Sequence, residues 1–246
     1  MISLEGRTIV VVGGGSGIGR ATAMLAAKLG ARITIIDIDP AAAQLAASFG
    51  EAGSFIECDA CNPDQIGTAL RQVVDRYRQI DGFVTAVGGA HLAPLQSLDL
   101  AAWNKELNFN LSSVYIGCRA VLAYMEGNPG ASIVTISSGY AIMAGTDRIA
   151  YTAAKAGVIA FTRSLAAAAA PSRVRANCIA PGPVDTARFR AMNGGDAAVE
   201  QLRQRMPLGT IPQPSDCANL AVFLLSGAAS AITGQVIHIN GGVLMP

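Results

Sequence analysis

The sequence predicts an α/β protein, a doubly wound parallel sheet of about seven strands with helices on both faces. Two patterns carry this. Short β-branched runs alternate with longer Ala/Leu-rich segments along the whole chain, and repeated β-α-β means parallel strands with covered faces. The strand runs are continuously apolar, as strands buried on both sides must be. With 246 residues, 51% of them hydrophobic, the chain supplies enough apolar surface for one domain over 1–246.

"RTIVVV" (7–12) is the first strand; it ends in glycines, and "ATAMLAAKLG" (21–30) follows as a helix closed by Gly30. "RITIID" (32–37) is the second strand, and "DPAAAQLAASFG" (39–50) a helix with Asp39 as cap and Pro40 at its first position. "SFIEC" (54–58) is the third strand. "NPDQIGTALRQVVDRY" (62–77) repeats the cap-then-proline start, with Ile66, Leu70, Val73 and Val74 at helical spacing. "GFVTAV", a long helix over 103–125, "ASIVTIS", the helix holding Tyr151, "RVRANCIA", a Gly/Pro-rich stretch, the helix "PSDCANLAVFLLS" and "GQVIHI" complete the set.

Composition narrows the function. The net charge is +1, from 18 basic and 17 acidic residues, with no basic block, and only 5% of residues are aromatic. A nucleic-acid surface and a polybasic membrane patch are not expected. No run of eighteen apolar residues marks a membrane span, and the N-terminus lacks the pattern of a signal peptide. Five scattered cysteines fit reduced thiols, so a cytoplasmic protein is expected. Cys58 and Cys61 form a C-x-x-C, but no second pair and only two histidines accompany it, so no metal site is expected.

"VVVGGGSGIGR" sets Gly13, Ser16, Gly17, Ile18 and Gly19 between the first strand and the first helix. Glycines there permit a tight turn and bring backbone N–H groups up to a pyrophosphate. A glycine turn alone is weak evidence. The strand before it, the helix after it and the acid Asp37 ending the second strand make it a Rossmann-like dinucleotide fingerprint. A carboxylate at Asp37 accepts hydrogen bonds from ribose hydroxyls and repels a 2′-phosphate, which predicts NAD rather than NADP.

Tyr151 and Lys155 are four apart in "IAYTAAKAGVIAFT" and so share a helix face. A neighbouring ammonium favours phenolate, which suits a proton carrier. A lysine snorkelling past a core tyrosine would give the same spacing. In "SIVTISSGYA" the strand ends with Ser137 and Ser138, where doubly wound sheets bind ligands; a strand-end serine also serves as a turn or cap.

Taken together, these residues resemble the short-chain dehydrogenase/reductase family, essentially end to end. The likeness rests on "VGGGSGIG" (12–19) for its T-G-x-x-x-G-x-G loop, the strand-two acid, Asp59 after strand three, "FNL" around Asn110, Ser138, Y-x-x-x-K at Tyr151 and Lys155, "NCIAPGPVDT" (177–186) and "ITGQVIHINGG". The resemblance implies Tyr151 as general acid/base and Lys155 on the nicotinamide ribose, lowering the tyrosine pKa. Ser138 would polarise the carbonyl, and Asn110 would order a water in a proton relay. Asp59 would contact adenine, Ala86, Val87 and Gly88 would lie along the cofactor, and Pro181, Gly182, Val184 and Thr186 would flank the nicotinamide. It also implies a homotetramer or homodimer.

Two departures stand out. The family's N-N-A-G is here "TAVG", Thr85 to Gly88, and Val12 replaces the loop threonine. Side-chain hydrogen bonds that tie the strand-four turn are lost or replaced.

The implied reaction interconverts an alcohol and its ketone. The lid is placed at about 183–209, and His91, Tyr140, Phe189 and Met192 are the substrate-pocket candidates. In sequence the pocket looks mostly apolar, with no arginine cluster committed to an anion, so a small or medium secondary alcohol is expected. The alternatives are a 3-oxoacyl-type or other carbonyl reductase using NADPH and a non-catalytic dinucleotide-binding regulator.

Overall fold

Every apolar run read as a strand forms one: β1 (Thr8–Val12), β2 (Arg32–Asp37), β3 (Gly53–Glu57), β4 (Gly82–Thr85), β5 (Ser132–Ile136), β6 (Arg175–Pro181) and β7 (Val236–Ile239). The computed structural model describes residues 2–245. All pairings are parallel, in the order β3-β2-β1-β4-β5-β6-β7. The order reverses at β1 and β4, which opens a crevice at the carboxyl ends of these strands.

Helices fill the crossovers: α1 (Gly17–Lys28), α2 (Ala42–Ala47), α3 (Pro63–Tyr77), α4 (Leu100–Leu107), α5 (Ser113–Met125), α6 (Ile149–Ala169), α7 (Ala187–Asn193), α8 (Asp196–Arg205) and α9 (Pro214–Leu225). The two faces of the sheet carry separate cores. Ile9, Val11, Ile33, Ile35 and Val84 point toward α1, α2 and α9. Val10, Val12, Phe83 and Ile133 point toward α3, α5 and α6. Alternate residues of one strand thus serve opposite cores, which is why each run is apolar throughout. Each such fully buried side chain contributes about 1.5–3 kcal/mol.

Local chemistry sets several boundaries. The Asn62 side chain accepts from the N–H groups of Asp64 and Gln65, with Pro63 opening α3. The helix expected over 39–50 is shorter. Asp39 caps the turn at Ala41, its Oδ1 accepting at 2.9 Å, and only Ala42–Ala47 is α-helical. The helix expected over 103–125 starts at Leu100, where Asp99 accepts from Ala102 N–H, and a π-helical turn over Asn108–Ser112 interrupts it. The stretch 183–209 carries α7 and α8.

Candidate active site

The glycine loop turns from β1 into α1 at the crevice. Gly13 adopts φ +77°, and a Cβ there would meet Val87 N at 2.8 Å, so the loop lies directly on the chain leaving β4. A Cβ on Gly19 would strike the Gly13 carbonyl, so only glycine lets the helix start this close to the strand end. Ser16 sits at the N-cap of α1 without a side-chain capping bond, and the first turn holds no acid. The first-turn N–H groups are therefore left for an anion. At the end of β2, Asp37 Oδ2 accepts from Gly15 N–H at 2.8 Å, and Oδ1 accepts from Asp39 N–H at 3.1 Å. This cradle suits a dinucleotide pyrophosphate with its ribose toward Asp37.

Ser137 and Ser138 follow β5. The Ser137 hydroxyl donates to the Lys155 carbonyl at 2.7 Å and pins α6 to the strand. Ser138 Oγ accepts from Tyr140 N–H at 3.2 Å, and its hydroxyl pairs with the Tyr151 side chain. Lys155 is 3% exposed. Its Nζ donates to the Ile136 carbonyl at 3.0 Å and lies 5.9 Å from the centre of the Tyr151 ring. Burial pushes the Lys155 ammonium down to about 8, against smaller upward pulls from Cys178 and Glu106. Burial pushes the Tyr151 phenol above its ordinary value; a hydrogen bond with Ser138 opposes this, Glu106 adds to it, and Arg188 and Arg148 pull it down. The cationic pull expected from Lys155 comes instead from these two arginines, and the phenol stays above its ordinary value.

Asn110 is fully buried in the π-turn. Its Oδ1 accepts from Gly89 N–H at 2.9 Å, and its Nδ2 donates to the Gly89 carbonyl at 3.2 Å and to Glu106 Oε1 at 3.1 Å. This side chain ties the turn after β4 that lacks the family's asparagines. Thr85 Oγ1, where the first of them would stand, is buried without a hydrogen-bond partner among the described residues.

Two cavities open here. One, of about 300 Å³, is lined by Ser16, Gly17, Ile18 and the backbone of 86–88 on one side and by Pro181, Gly182, Val184 and Thr186 on the other. The second, of about 480 Å³, has Tyr140, Met143, Phe189, Met192, Leu202 and Leu244 in its walls. Ser138 and Tyr151 line both, and Lys155 lines the first. Asp37 and Asp59 lie outside these walls; Asp59 Oδ1 accepts from Cys61 N–H at 2.8 Å. His91 is exposed, and it is its backbone N–H that reaches the site, donating to Glu106 Oε1 at 3.1 Å. The sequence reading missed Glu106, which its position four residues before Asn110 on one helix could have flagged. It also missed Arg148, Arg188 and Arg205 in the second cavity. These come from separate elements, and no local pattern marks them.

Burial, helped by Asp59, pushes Cys58 up to about 11 and raises Cys61 as well. Among the described residues, no group of three or more His, Cys, Asp or Glu is placed to hold a metal ion, and no helix is long and apolar enough to cross a membrane.

Residues 12–244 match the profile of a family described as enoyl-(acyl carrier protein) reductase. The chain belongs to the short-chain dehydrogenase/reductase family. Among curated relatives it is 34% identical over 245 residues to the 3-oxoacyl-(acyl-carrier-protein) reductase of Chlamydia trachomatis, covering 98% of each chain. It is 33% identical to the cis-4-hydroxycyclohexanecarboxylate dehydrogenase of Sinomonas cyclohexanicum, covering 96% of each, and 36% identical to the D-threitol dehydrogenase of Mycolicibacterium smegmatis, covering 97% and 93%. Among solved structures, a putative gluconate dehydrogenase from Agrobacterium tumefaciens superposes with a TM-score of 0.94 at 30% identity, covering 100% and 98%. As a short-chain dehydrogenase/reductase, the protein is an oxidoreductase of alcohol and carbonyl carbons that uses a nicotinamide dinucleotide.

Proposed function

We propose that this protein interconverts a secondary alcohol and its ketone with NAD(H), with Tyr151 as the general acid/base. The observation that carries the reading is the meeting of the two cavities at Ser138 and Tyr151. A coenzyme along the first and a substrate in the second would present their reacting carbons to each other beside one phenol and one hydroxyl. The bound nicotinamide accepts or supplies the hydride.

The chain manages the proton. Ser138, whose hydroxyl pairs with Tyr151, would turn its O–H to the substrate oxygen and fix it against the phenol. In reduction, Tyr151 hands its proton to that oxygen; in oxidation it takes the proton back. A phenol held above its ordinary value by burial is protonated at neutral pH, which matches the reductive role. Arg188 and Arg148 ease the phenolate needed for oxidation. Lys155 would hold the ribose and Thr186 with the Val184 backbone the carboxamide of a coenzyme in the first cavity, while Asn110 and Glu106 hold the turn at Gly89.

The end of β2 supports NAD. Asp37 is followed by Ile38, 67% exposed, and by Asp39, and Asp37 pairs in register with Glu57. Three carboxylates and no cation at these positions oppose a 2′-phosphate, which weighs against an NADPH-dependent 3-oxoacyl reductase. The complete set Asn110, Ser138, Tyr151 and Lys155 weighs against a regulator without turnover.

Replacing Tyr151 by Phe removes the proton carrier and keeps the ring. In Tyr151→Phe, kcat on any alcohol the wild type oxidises falls by roughly 10²–10⁴-fold, while NADH binding by fluorescence is unchanged. Undiminished turnover in this variant overturns the assignment.

A further inference from the structure

The second cavity has walls of one sign. Arg148, at the N-cap of α6, Arg188, in α7, and Arg205, at the end of α8, all line it, and among the described residues no aspartate or glutamate does. Among the described residues, two of the three guanidiniums have no ion pair. Asp147 holds Arg148 through Nε–Oδ1 at 2.8 Å and Nη2–Oδ2 at 3.1 Å, and its guanidinium stacks over Tyr140 at 4.4 Å. Among the described residues, no carboxylate lies within ion-pairing distance of Arg188 or Arg205. The neighbouring Arg190, by contrast, is taken up by Asp185 and Asp196.

Arg188 is the best placed. Its guanidinium rests on Gly89 where a Cβ would otherwise stand, and Nη2 donates to the Ala90 carbonyl at 3.4 Å. That seat puts it on the wall shared by both cavities, together with Ser138 and Tyr151. Its charge is felt at the phenol. A planar fork with one weak backbone bond has donors left for a bidentate partner. Around it, Met143, Phe189, Met192, Leu202 and Leu244 offer an apolar surface for a carbon frame.

We infer that the substrate is a hydroxy acid and its oxo acid, the carboxylate held by Arg188 while the carbinol carbon lies at Ser138 and Tyr151. This rests on the alcohol–ketone reading above. The single-sign wall also draws anions into the cavity and leaves a neutral analogue without a partner for the guanidinium.

The test is steady-state oxidation by the full-length enzyme with NAD⁺, over straight-chain and cyclic hydroxy acids, each beside its methyl ester. In the wild type the acid exceeds its ester in kcat/KM by at least about tenfold, the share of one charge-assisted hydrogen bond. In Arg188→Leu that ratio collapses toward one through a raised KM for the acid, while the KM for NAD⁺ holds. Arg188→Lys recovers part of the ratio, since a point charge replaces the fork. Esters as good as acids in the wild type overturn the inference and leave the alcohol–ketone reading standing. A changed KM for NAD⁺ with an unchanged acid-to-ester ratio assigns Arg188 to the coenzyme and overturns it too, as does a preference for hydroxyacyl thioesters over free acids. No turnover of acid or ester overturns the alcohol–ketone reading and this inference with it.

Discussion

Lys155 shows how function is bought at a single residue. The amine is sealed between β5 and α6 with the Ile136 carbonyl as its hydrogen-bond acceptor. Its proton is held with a pKa of about 8 in the folded protein against 10.5 for the ordinary side chain. Between those values the unfolded chain binds more protons than the folded one, so this group makes stability rise with pH. Below about pH 8 its cost is constant, roughly 3 kcal/mol. Lys155→Met keeps the volume and removes the charge. It abolishes turnover and is more stable than the wild type at pH 7, and that advantage shrinks by roughly 2–3 kcal/mol by pH 10 as the wild-type amine deprotonates. Urea denaturation at the two pH values reads this difference; an advantage that does not change with pH would show that the amine carries no such strain. The four-residue spacing to Tyr151 was legible in the sequence. The burial that depresses the lysine was not, because it depends on β5 closing over the helix.

Among the elements, legibility followed periodicity. The seven strands could be read because parallel strands buried on two faces are apolar at every position. The helix from Leu100 to Met125 could be read in outline, but not its π-turn, since one extra residue in a helical turn leaves no compositional trace. The turn matters because it aims Asn110 at Gly89. It is also held by that side chain, whose Nδ2 donates to the Glu106 carbonyl at 3.2 Å as well as to the Glu106 carboxylate. Asn110→Ala orphans the Gly89 N–H and costs about 1–3 kcal/mol. Asn110→Asp is worse at neutral pH, because its second oxygen faces the Glu106 carboxylate and two carbonyls, all acceptors. Such a carboxylate pair has a raised folded pKa, so the extra cost is present at neutral pH and fades as the solution is acidified through the carboxylate range. Comparing the two variants by denaturation at pH 7.5 and pH 5 checks this; a gap between them that is equal at both would dismiss the Glu106 contact as energetically silent.

For the molecule as a whole, the strand order decides which residues meet. The glycine loop, Asp37, Ser138 and Tyr151 could each be found within a short stretch, since each is a local pattern on one strand end or one helix. Arg148, Arg188 and Arg205 become one wall only when α6, α7 and α8 gather over the carboxyl ends of the strands, so no window of sequence contains them together. The same topology makes coenzyme choice a property of global stability. A ligand that binds only the folded crevice stabilises it by about 2.7 kcal/mol at a hundred times its Kd, which for a chain of this size raises Tm by about 5–10 °C. On the NAD reading proposed above, NADH produces that rise, and NADPH at equal concentration produces little, because its 2′-phosphate would meet the acidic end of β2. Asp37→Asn keeps an acceptor for the Gly15 N–H and removes the charge, so the difference between the two coenzymes narrows, with NADPH gaining most. Scanning calorimetry on both proteins measures it directly. A wild-type rise with NADPH that equals or exceeds the rise with NADH would mean that the carboxylate at Asp37 belongs to the loop alone and that the NAD reading is wrong.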